Sequence, residues 1–201
     1  MRSGQTEWDL LGRVQGAADL PMAAAGLATV QGQIAALPDP PLEAVLAAPD
    51  EASQATATLL AAAAGLKRVQ TIPELGEMAL GLWEGLRYEE LENRYCSAGR
   101  LFLDDPTGVH APEGDEFQEY APRIHAAMAR IVAKRKPGTS CGIVVRPMAL
   151  GLLRCFLNGA DPCRIWAMLK DRPDLEWYDC SKNDPRMAVS PRRPRRPASA
   201  A

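Results

Sequence analysis

The chain has 201 residues, 47% of them hydrophobic and 24% charged, which predicts one globular domain with a sizeable buried core. Its formal net charge is -2 and its pI is near 5.8, so the overall field gives no reason to expect nucleic acid or an anionic membrane as a partner. No stretch approaches the roughly 20 uninterrupted apolar residues that span a membrane. The amino terminus lacks the basic region and apolar run of a leader peptide, so we expect a cytoplasmic protein.

The chain has five cysteines, an odd number, and none of them belongs to a C-x-x-C pair. With two histidines the sequence has no ligand set with the spacing of a metal site, so we expect neither a metal nor another cofactor. Reduced thiols with a packing role are the favoured interpretation. The five are Cys96, Cys141, Cys155, Cys163 and Cys180.

The first part of the chain alternates helix and strand patterns. Residues 23–37 are rich in Ala, Leu and Gln and predict a helix, which the Pro-Asp-Pro-Pro sequence at 38–41 ends. A short apolar run at 44–47 predicts a strand, and the Ala-rich stretch 51–66 predicts the next helix. Residues 69–72 predict an extended segment.

The middle of the chain has a weaker pattern. We expect a loop over 75–86, a short acidic helix over 88–95 and a long polar loop over 104–114. The stretch 116–136 then carries apolar residues at three- and four-residue spacing, with Pro-Gly directly beyond its basic end. It is the clearest helix prediction in the sequence.

The last part of the chain completes the pattern of an α/β protein. A β-rich apolar run at 141–145 is typical of a buried parallel strand, and 148–157 predicts an apolar helix after it. Strands that alternate with helices predict an α/β fold with a mostly parallel sheet. We expect this fold to occupy residues 1–185.

The carboxyl-terminal residues 186–201 are rich in proline and arginine, and we expect a disordered tail there. Its prolines forbid a helix, and its arginines repel one another. Such a basic run could touch nucleic acid or an acidic partner. A solvated tail is the favoured interpretation, because the four arginines of residues 190–201 bind nucleic acid weakly at physiological salt, and we predict no nucleic-acid partner.

Several short motifs follow one another in order along the chain. The first lies in a polar loop at the amino terminus, and a later one has the specific form Leu-Gly-x-Trp-Glu-Gly. The motifs are Arg2-Ser3-Gly4-Gln5-Thr6 with Asp9, Gly12-Arg13-Val14-Gln15-Gly16, Ala47-Ala48-Pro49, Leu75-x-Glu77, Leu80-Gly81-x-Trp83-Glu84-Gly85, Pro112-x-Gly114 and Ile143-Val144-Val145.

This ordered set resembles the histidine phosphatase (phosphoglycerate mutase-like) superfamily over about residues 2 to 180. The resemblance implies a three-layer α/β/α fold with a mostly parallel central sheet. In that family a histidine of the first loop attacks phosphorus and becomes phosphohistidine. Two arginines and a second histidine hold the phosphoryl oxygens, and an acidic residue protonates the leaving oxygen.

The match is uneven at the positions that carry this chemistry. Arg2 matches the first arginine, and Glu77 matches the proton donor. Ser3 stands where the family has its nucleophilic histidine, and Ala52 stands where it has its second arginine. Arg146-Pro147-Met148 follow the last strand, where the family has its second histidine and then a glycine, and whichever of the three aligns, the histidine is absent. The resemblance with these departures implies a pseudo-phosphatase, a member that lacks catalysis.

Two residues could restore part of the site. Ser3 could attack phosphorus only with a neighbouring base, and the sequence offers none, because neither histidine of the chain matches a catalytic position of the family. Arg146 could form a weak phosphate-binding site with Arg2 and Arg13, or it could be an exposed arginine at a strand end. The sequence leaves this choice open.

Three functions are compatible with these residues. The favoured hypothesis is an inactive histidine phosphatase-like protein that binds, at most weakly, a small phosphorylated ligand or a protein partner. The alternative is a phosphomonoester phosphatase or mutase with an altered site of Arg2, Ser3, Glu77 and Arg146. A third hypothesis is an interaction protein that works through its basic tail or the long helix at 116–136. The sequence names neither the ligand nor the oligomeric state.

The resemblance also implies a strand that this chain does not contain. In the family an apolar strand leads directly into the first loop and lies in the middle of the sheet, whereas here Met1 directly precedes Arg2. Either translation begins upstream, which we favour, or the sheet lacks a central strand. In the second case the neighbouring strand is left with unpaired backbone groups, which are costly when buried.

Overall fold

A β-sheet lies between two layers of helices, which is the predicted three-layer α/β/α arrangement. The computed structural model describes residues 1–37, 42–181 and 184–187. The proline-rich loop at 38–41 and nearly all of the predicted tail lie outside the described residues, so these features remain predictions.

Within the described residues the sheet has three strands, in the order β2-β1-β3, and both pairs are parallel. They are β1 (Ala44–Ala47), β2 (Val69–Thr71) and β3 (Cys141–Val144). Parallel neighbours cannot be joined by a tight turn, so the chain crosses over the sheet between them, as the alternating pattern predicts. The three predicted strands are confirmed.

The same residues contain six α-helices and several short 3₁₀ turns. None of these helices is both long and apolar enough to cross a membrane. The helices are α1 (Glu7–Leu10), α2 (Ala24–Ala35), α3 (Glu51–Ala63), α4 (Tyr88–Asp104), α5 (Phe117–Lys134) and α6 (Pro147–Leu157).

Helices α2 and α3 form one outer layer. The buried face of α3 contains small residues, among them Ala52 and Ala57, and this lets the helix lie close against the strands. Asp50 caps the helix by accepting a hydrogen bond from the backbone N–H of Ser53 at 2.9 Å. The helix therefore starts at the carboxyl end of β1, at the edge of the sheet where ligands of parallel sheets bind.

Helices α5 and α6 pack against each other on the opposite face of the sheet. Their apolar faces, which include Ile124 and Leu152, join the larger of two buried clusters, and Leu46 of β1 belongs to the same cluster. The predicted helix over 116–136 is confirmed as α5, which is shorter by a residue or two at each end.

Helix α4 is longer than the sequence predicts. The pattern favours a short helix over 88–95 and then a polar loop, but α4 continues to Asp104 with a kink at Cys96, where φ is 31° and ψ is -100°. Its buried residues Leu91 and Phe102 are far apart in sequence, and the residues between them are mostly polar or exposed. Packing of Phe102 on Trp83, with ring centroids 5.6 Å apart, supplies the stabilisation that the pattern hides.

The first three residues run beside β3 without forming a full strand. Arg2 makes an isolated parallel bridge with Val145, directly after the end of β3. Beyond β3, in the described part of the chain, only this short segment continues the sheet.

Gly26 lets α2 lie in contact with the backbone of the first loop. A Cβ atom at this position would stand 2.4 Å from the carbonyl oxygen of Gln5 and 2.7 Å from its backbone nitrogen. These atoms belong to the main chain and cannot rotate away, so the helix and the loop would have to separate. Gly32, on the same helix, faces open space.

The two glycines therefore make a matched pair for substitution. We expect Gly26→Ala to lower the free energy of unfolding by about 1 to 3 kcal/mol, because it forces α2 off the first loop. We expect Gly32→Ala to raise it by up to about 1 kcal/mol, because alanine favours the helix. Chemical denaturation measures both, and effects of the same sign and size would contradict this close packing.

Candidate active site

The first loop is held by side chains that cap short elements. Thr6 caps α1 by accepting from the backbone N–H of Asp9 at 3.3 Å, and the carboxylate of Asp9 accepts in return from the backbone N–H of Thr6 at 2.8 Å. The backbone N–H of Gly4 donates to Thr56 of α3 at 2.8 Å. The loop is thus fixed to the helix that follows β1, at the carboxyl edge of the sheet.

Hydrogen bonds at Val145 bring Ser3 next to Arg146. The backbone N–H of Ser3 donates to the carbonyl of Val145 at 2.8 Å, and Arg146 directly follows Val145. Ser3 is 5% exposed, so its side chain is buried beside Arg146. Ser3 and Arg146 therefore lie side by side at the carboxyl edge of the sheet, and we call the group that they form with Arg2 and Glu77 the pocket.

Arg146 is a buried cation with unpaired hydrogen-bond donors. It is 3% exposed and forms the N-cap of α6, so the alternative of an exposed arginine at a strand end is wrong. Its Nε and Nη1 atoms are buried and have no hydrogen-bond partner among the described residues. A buried guanidinium with unpaired donors is costly, and an oxyanion is the group that would satisfy them.

Arg2 also carries positive charge at this edge of the sheet. Its guanidinium lies 3.8 Å from a carboxylate oxygen of Asp9 and 3.9 Å from one of Asp174. These distances describe loose ion pairs at a partly exposed position, and such pairs contribute little to stability. Arg2 can therefore turn toward an incoming anion at small cost.

Glu77 accepts hydrogen bonds from the start of α6. Its carboxylate takes the backbone N–H groups of Met148 at 2.8 Å and Ala149 at 3.1 Å, and the Tyr120 hydroxyl donates to it at 2.6 Å. Burial raises the pKa of Glu77 above its ordinary value, although the Tyr120 hydroxyl and the nearby Arg146 oppose this shift. The carboxylate of Glu77 itself fills the anion-binding position at this helix end.

Arg13 lies apart from the other candidates. Its guanidinium donates to the carbonyl of Gly85 and ties the second motif to the Leu-Gly-x-Trp-Glu-Gly motif. No contact joins it to Arg2, Ser3 or Arg146 in the described residues. The structure therefore gives Arg13 a role in holding the loops together, and its proposed phosphate contact remains a prediction.

Glu84 of the Leu-Gly-x-Trp-Glu-Gly motif serves the same framework. Its carboxylate accepts from the backbone N–H groups of Leu80 at 2.8 Å and Ala17 at 2.9 Å. Trp83 is 1% exposed and packs on Phe102 and Tyr95. This motif positions the pocket wall and does not enter the pocket.

Tyr88, at the start of α4, is a candidate that sequence reasoning missed. Burial and the Asp9 carboxylate raise the pKa of its hydroxyl, and Arg2 and Arg146 act in the opposite direction, so the side chain shares the field of the pocket. It is 38% exposed, which suits a residue at the pocket mouth. Its place in a short acidic segment of the sequence gave no signal of this position.

Both histidines of the chain lie in other surroundings. His110 is exposed and has its Nδ1 atom 3.1 Å from a carboxylate oxygen of Glu116. His125 has its Nε2 atom 2.9 Å from the carbonyl of Arg186 and its ring 4.5 Å from that of Phe156. The pocket therefore contains no imidazole.

The comparison with family models identifies the chain. The model of the histidine phosphatase superfamily, branch 1, matches residues 1–190. This chain belongs to the histidine phosphatase superfamily. The match extends well beyond the motifs of the first loop, and it agrees with the three-layer fold.

Individual relatives of this histidine phosphatase-family chain are distant. A probable phosphoglycerate mutase, GpmB of Yersinia pestis (strain Pestoides F), is 27% identical over 159 residues, which cover 79% of this chain and 73% of the relative. The crystal structure of the alpha-ribazole phosphatase from Shigella flexneri is 28% identical with a TM-score of 0.72, covering 83% of this chain and 82% of that one. Bacillus stearothermophilus YhfR, at 23% identity and a TM-score of 0.74 over 83% of this chain and 81% of that one, shares the fold.

The start of α3 adds further unpaired polar atoms to this edge of the sheet. Asp50 Oδ2 and Ser53 Oγ are buried and have no hydrogen-bond partner among the described residues. Ala52 between them is 0% exposed and contributes no charge where the family has its second arginine. Within the described residues no group of three or more His, Cys, Asp or Glu side chains is placed to hold a metal ion.

The raised pKa of Glu77 predicts a pH-dependent contribution to stability. The folded state favours the protonated carboxyl, so the stability of the natural chain relative to Glu77→Gln is fully present below about pH 4.5, the ordinary value, and is lost as pH rises through the raised pKa. Urea denaturation at a series of pH values measures this difference. Tyr120→Phe removes a hydrogen bond that lowers this pKa and should move the loss to higher pH. A difference that grows with pH would contradict the assignment.

Proposed function

We propose that this protein is a pseudo-phosphatase: a histidine phosphatase-family member that does not catalyse phosphoryl transfer and that binds a small phosphorylated ligand in the old active-site pocket. The observation that carries this proposal is the absence of imidazole from the pocket, since the chain has two histidines and both lie elsewhere. The family's reaction proceeds through phosphohistidine, so without an imidazole that route is closed.

Ser3 does not replace the lost nucleophile. A neutral hydroxyl attacks phosphorus only when a base accepts its proton, and both histidines of the chain have other surroundings. The acidic side chain of the pocket, Glu77, is engaged with Tyr120 and the start of α6.

The pocket keeps charge that suits binding. Arg146 offers two buried donors without partners, and Arg2 is held only by loose ion pairs. Ala52 in place of the second arginine leaves fewer charges to stabilise the extra negative charge of a transition state than the family's site has. Such a site binds the phosphoryl group of a ligand. It stabilises the transition state of phosphoryl transfer little more than it stabilises the bound ligand, so the reaction is not accelerated.

A gain-of-function test separates an inactive chain from one with altered chemistry. We expect the natural chain to be silent toward an aryl phosphate between acid and neutral pH. We expect the variant with Ser3→His, Ala52→Arg, Arg146→His and Pro147→Gly to hydrolyse the aryl phosphate faster by on the order of a hundredfold or more. These changes restore the nucleophilic histidine and the side chains that hold the phosphoryl oxygens in the family. Release of the phenol, followed by absorbance, measures the rate.

Two controls make this test decisive. Glu77→Gln in the four-residue variant should remove the gained activity if that activity arises in the pocket. Ser3→Ala in the natural chain should change nothing. Turnover by the natural chain that Ser3→Ala abolishes would instead establish the alternative function, a phosphomonoester phosphatase or mutase with a serine nucleophile. The solved relative from Shigella flexneri is a phosphatase, so phosphatase activity has precedent in the fold.

Phosphate binding tests the second part of the proposal. We expect millimolar inorganic phosphate to raise the melting temperature of the natural chain, because a ligand of the folded state stabilises it by mass action. Arg146→Met should abolish this shift. The same substitution removes a buried unpaired cation and so should leave the ligand-free chain as stable as the natural one or more stable.

Arg94→Gln is the matched control for phosphate binding. Arg94 is an exposed arginine of α4, and its loss should leave the phosphate shift unchanged. Retention of the shift in Arg146→Met, or its equal loss in Arg94→Gln, would show that phosphate acts through general screening and would contradict a pocket site.

A further inference from the structure

Two carboxylates flank the Arg2 guanidinium of the pocket. The Nη2 atom of Arg2 lies 3.8 Å from Oδ1 of Asp9, and its Nη1 atom lies 3.9 Å from Oδ1 of Asp174. In the part of the chain that the structure describes, no other side chain forms an ion pair with either aspartate. All three side chains are between 15% and 37% exposed, so a ligand of the pocket can reach them.

Neutral donors hold both carboxylates in place. The Oδ2 atom of Asp9 accepts from the backbone N–H of Thr6 at 2.8 Å and from the Thr6 hydroxyl at 3.0 Å. The Oδ2 atom of Asp174 accepts from the side-chain amide of Gln33 on α2 at 3.1 Å. These donors fix the position of each carboxylate without cancelling its charge. In both residues the other oxygen, Oδ1, faces the Arg2 guanidinium.

This group of charges adjoins Arg146. Arg2 pairs with Val145 in a parallel bridge, and Arg146 directly follows Val145, so both guanidinium groups belong to the same end of β3. Asp9 lies on the same side of the pocket, because its carboxylate raises the pKa of Tyr88 while Arg2 and Arg146 lower it. A ligand bound to Arg146 therefore lies next to the carboxylates that flank Arg2.

The charges of these four side chains cancel. Arg2 and Arg146 contribute two positive charges, and the two aspartates contribute two negative ones. This balance holds even when Glu77 is protonated, and an ionised Glu77 makes the sum negative. A phosphoryl group brings a further charge of about -1.5 to -2 at neutral pH. A ligand whose only charged group is the phosphoryl group therefore leaves an excess of negative charge around the pocket.

A turn of Arg2 toward the phosphoryl group makes this excess local. The Oδ1 atoms of Asp9 and Asp174 then lose the cation that they face in the ligand-free chain. A carboxylate without a cation is costly where it is partly buried, and the Asp9 side chain is only 15% exposed. A cation on the ligand, next to its phosphoryl group, would take the place that Arg2 leaves.

We propose that the ligand of this pocket is the phosphate monoester of an amino alcohol, in which a short chain joins the phosphoryl group to an ammonium group. Arg2 and Arg146 bind the phosphoryl oxygens. The ammonium group has three donors and donates to the Oδ1 atoms of Asp9 and Asp174. The chain is short, because both carboxylates lie within 4 Å of the guanidinium that turns to the phosphoryl group. The assignment rests on the proposed function, since it names the ligand of the same pocket.

Three matched ligands test this proposal on the full chain. They are O-phosphoethanolamine, propyl phosphate, which has a methyl group in place of the ammonium group, and ethanolamine, which lacks the phosphoryl group. Calorimetric titration at constant ionic strength and about pH 8, where both esters are dianionic at the phosphoryl group, gives each Kd. We expect O-phosphoethanolamine to bind about tenfold more tightly than propyl phosphate or better, because of its charge-assisted hydrogen bonds. Ethanolamine should not bind measurably.

Asp9→Asn separates the charge of this residue from its role in the loop. The amide keeps an oxygen that accepts from Thr6 but carries no charge. The variant should reduce the preference for O-phosphoethanolamine to about threefold or less and should tighten the binding of propyl phosphate, because a repulsive charge is removed. A damaged loop would weaken both esters. Asp174→Asn should act in the same direction, whereas Glu43→Gln, an exposed carboxylate at the amino edge of the sheet, should change neither Kd.

Other outcomes overturn the proposal in distinguishable ways. Equal affinity of the natural chain for the two esters, with loss of both in Arg146→Met, would overturn the ligand assignment and leave the proposed function standing. A preference for O-phosphoethanolamine that survives both Asp9→Asn and Asp174→Asn would also overturn the assignment, because the ammonium group would then bind elsewhere. Absence of binding by both esters and by inorganic phosphate at millimolar concentration would overturn the proposed function and the ligand assignment together.

Discussion

The hydrogen bonds that join the first residues to Val145 determine the geometry of the whole pocket. They place Ser3 beside Arg146 and set the first loop across the carboxyl ends of β1 and β3. Everything else around the site supports this placement: Thr6 and Asp9 shape the loop, and α3 anchors it through Gly4. Because these bonds are made by backbone atoms, they survive any change of side chain at the catalytic positions. The fold can therefore persist whichever side chains stand at the catalytic positions.

The charges of the pocket point to binding and not to stability. The two unpaired donors of the buried Arg146 guanidinium contribute nothing to the stability of the fold. The backbone N–H groups at the start of α6 that could bind an external anion already donate to Glu77. If this site bound no ligand, the folded chain would be more stable with an apolar residue in place of Arg146. The buried cation, with Arg2 nearby, is therefore the physical basis of the proposal that this pocket binds an anionic ligand.

The sequence predicts the elements whose patterns are local and strong. Alternating apolar runs place β1, β3, α3 and α5 nearly to the residue, and the ordered motifs predict that Arg2, Ser3 and Arg146 share one site. Helix α4 was predicted too short because its buried residues Leu91 and Phe102 are separated mostly by polar residues. Its second half is stabilised by tertiary packing of Phe102 on Trp83. The burial of Arg146 was also not predicted, because burial of an arginine depends on every element around it and cannot be recognised from the residues next to it in sequence.

The position of Tyr88 could not be predicted for a similar reason. Tyr88 comes near the charges of the pocket because its backbone N–H donates to the carbonyl of Gly12 at 3.2 Å, a contact between segments that are distant in sequence.

The central claim is that this pocket holds a phosphoryl group without forming a bond to it. Intact-protein mass spectrometry after incubation with an excess of aryl phosphate tests this claim most directly, with the four-residue variant as the positive control. The account predicts an unmodified mass for the natural chain and a trapped phosphoryl group on the variant. A phosphoryl group on Ser3 of the natural chain would contradict it.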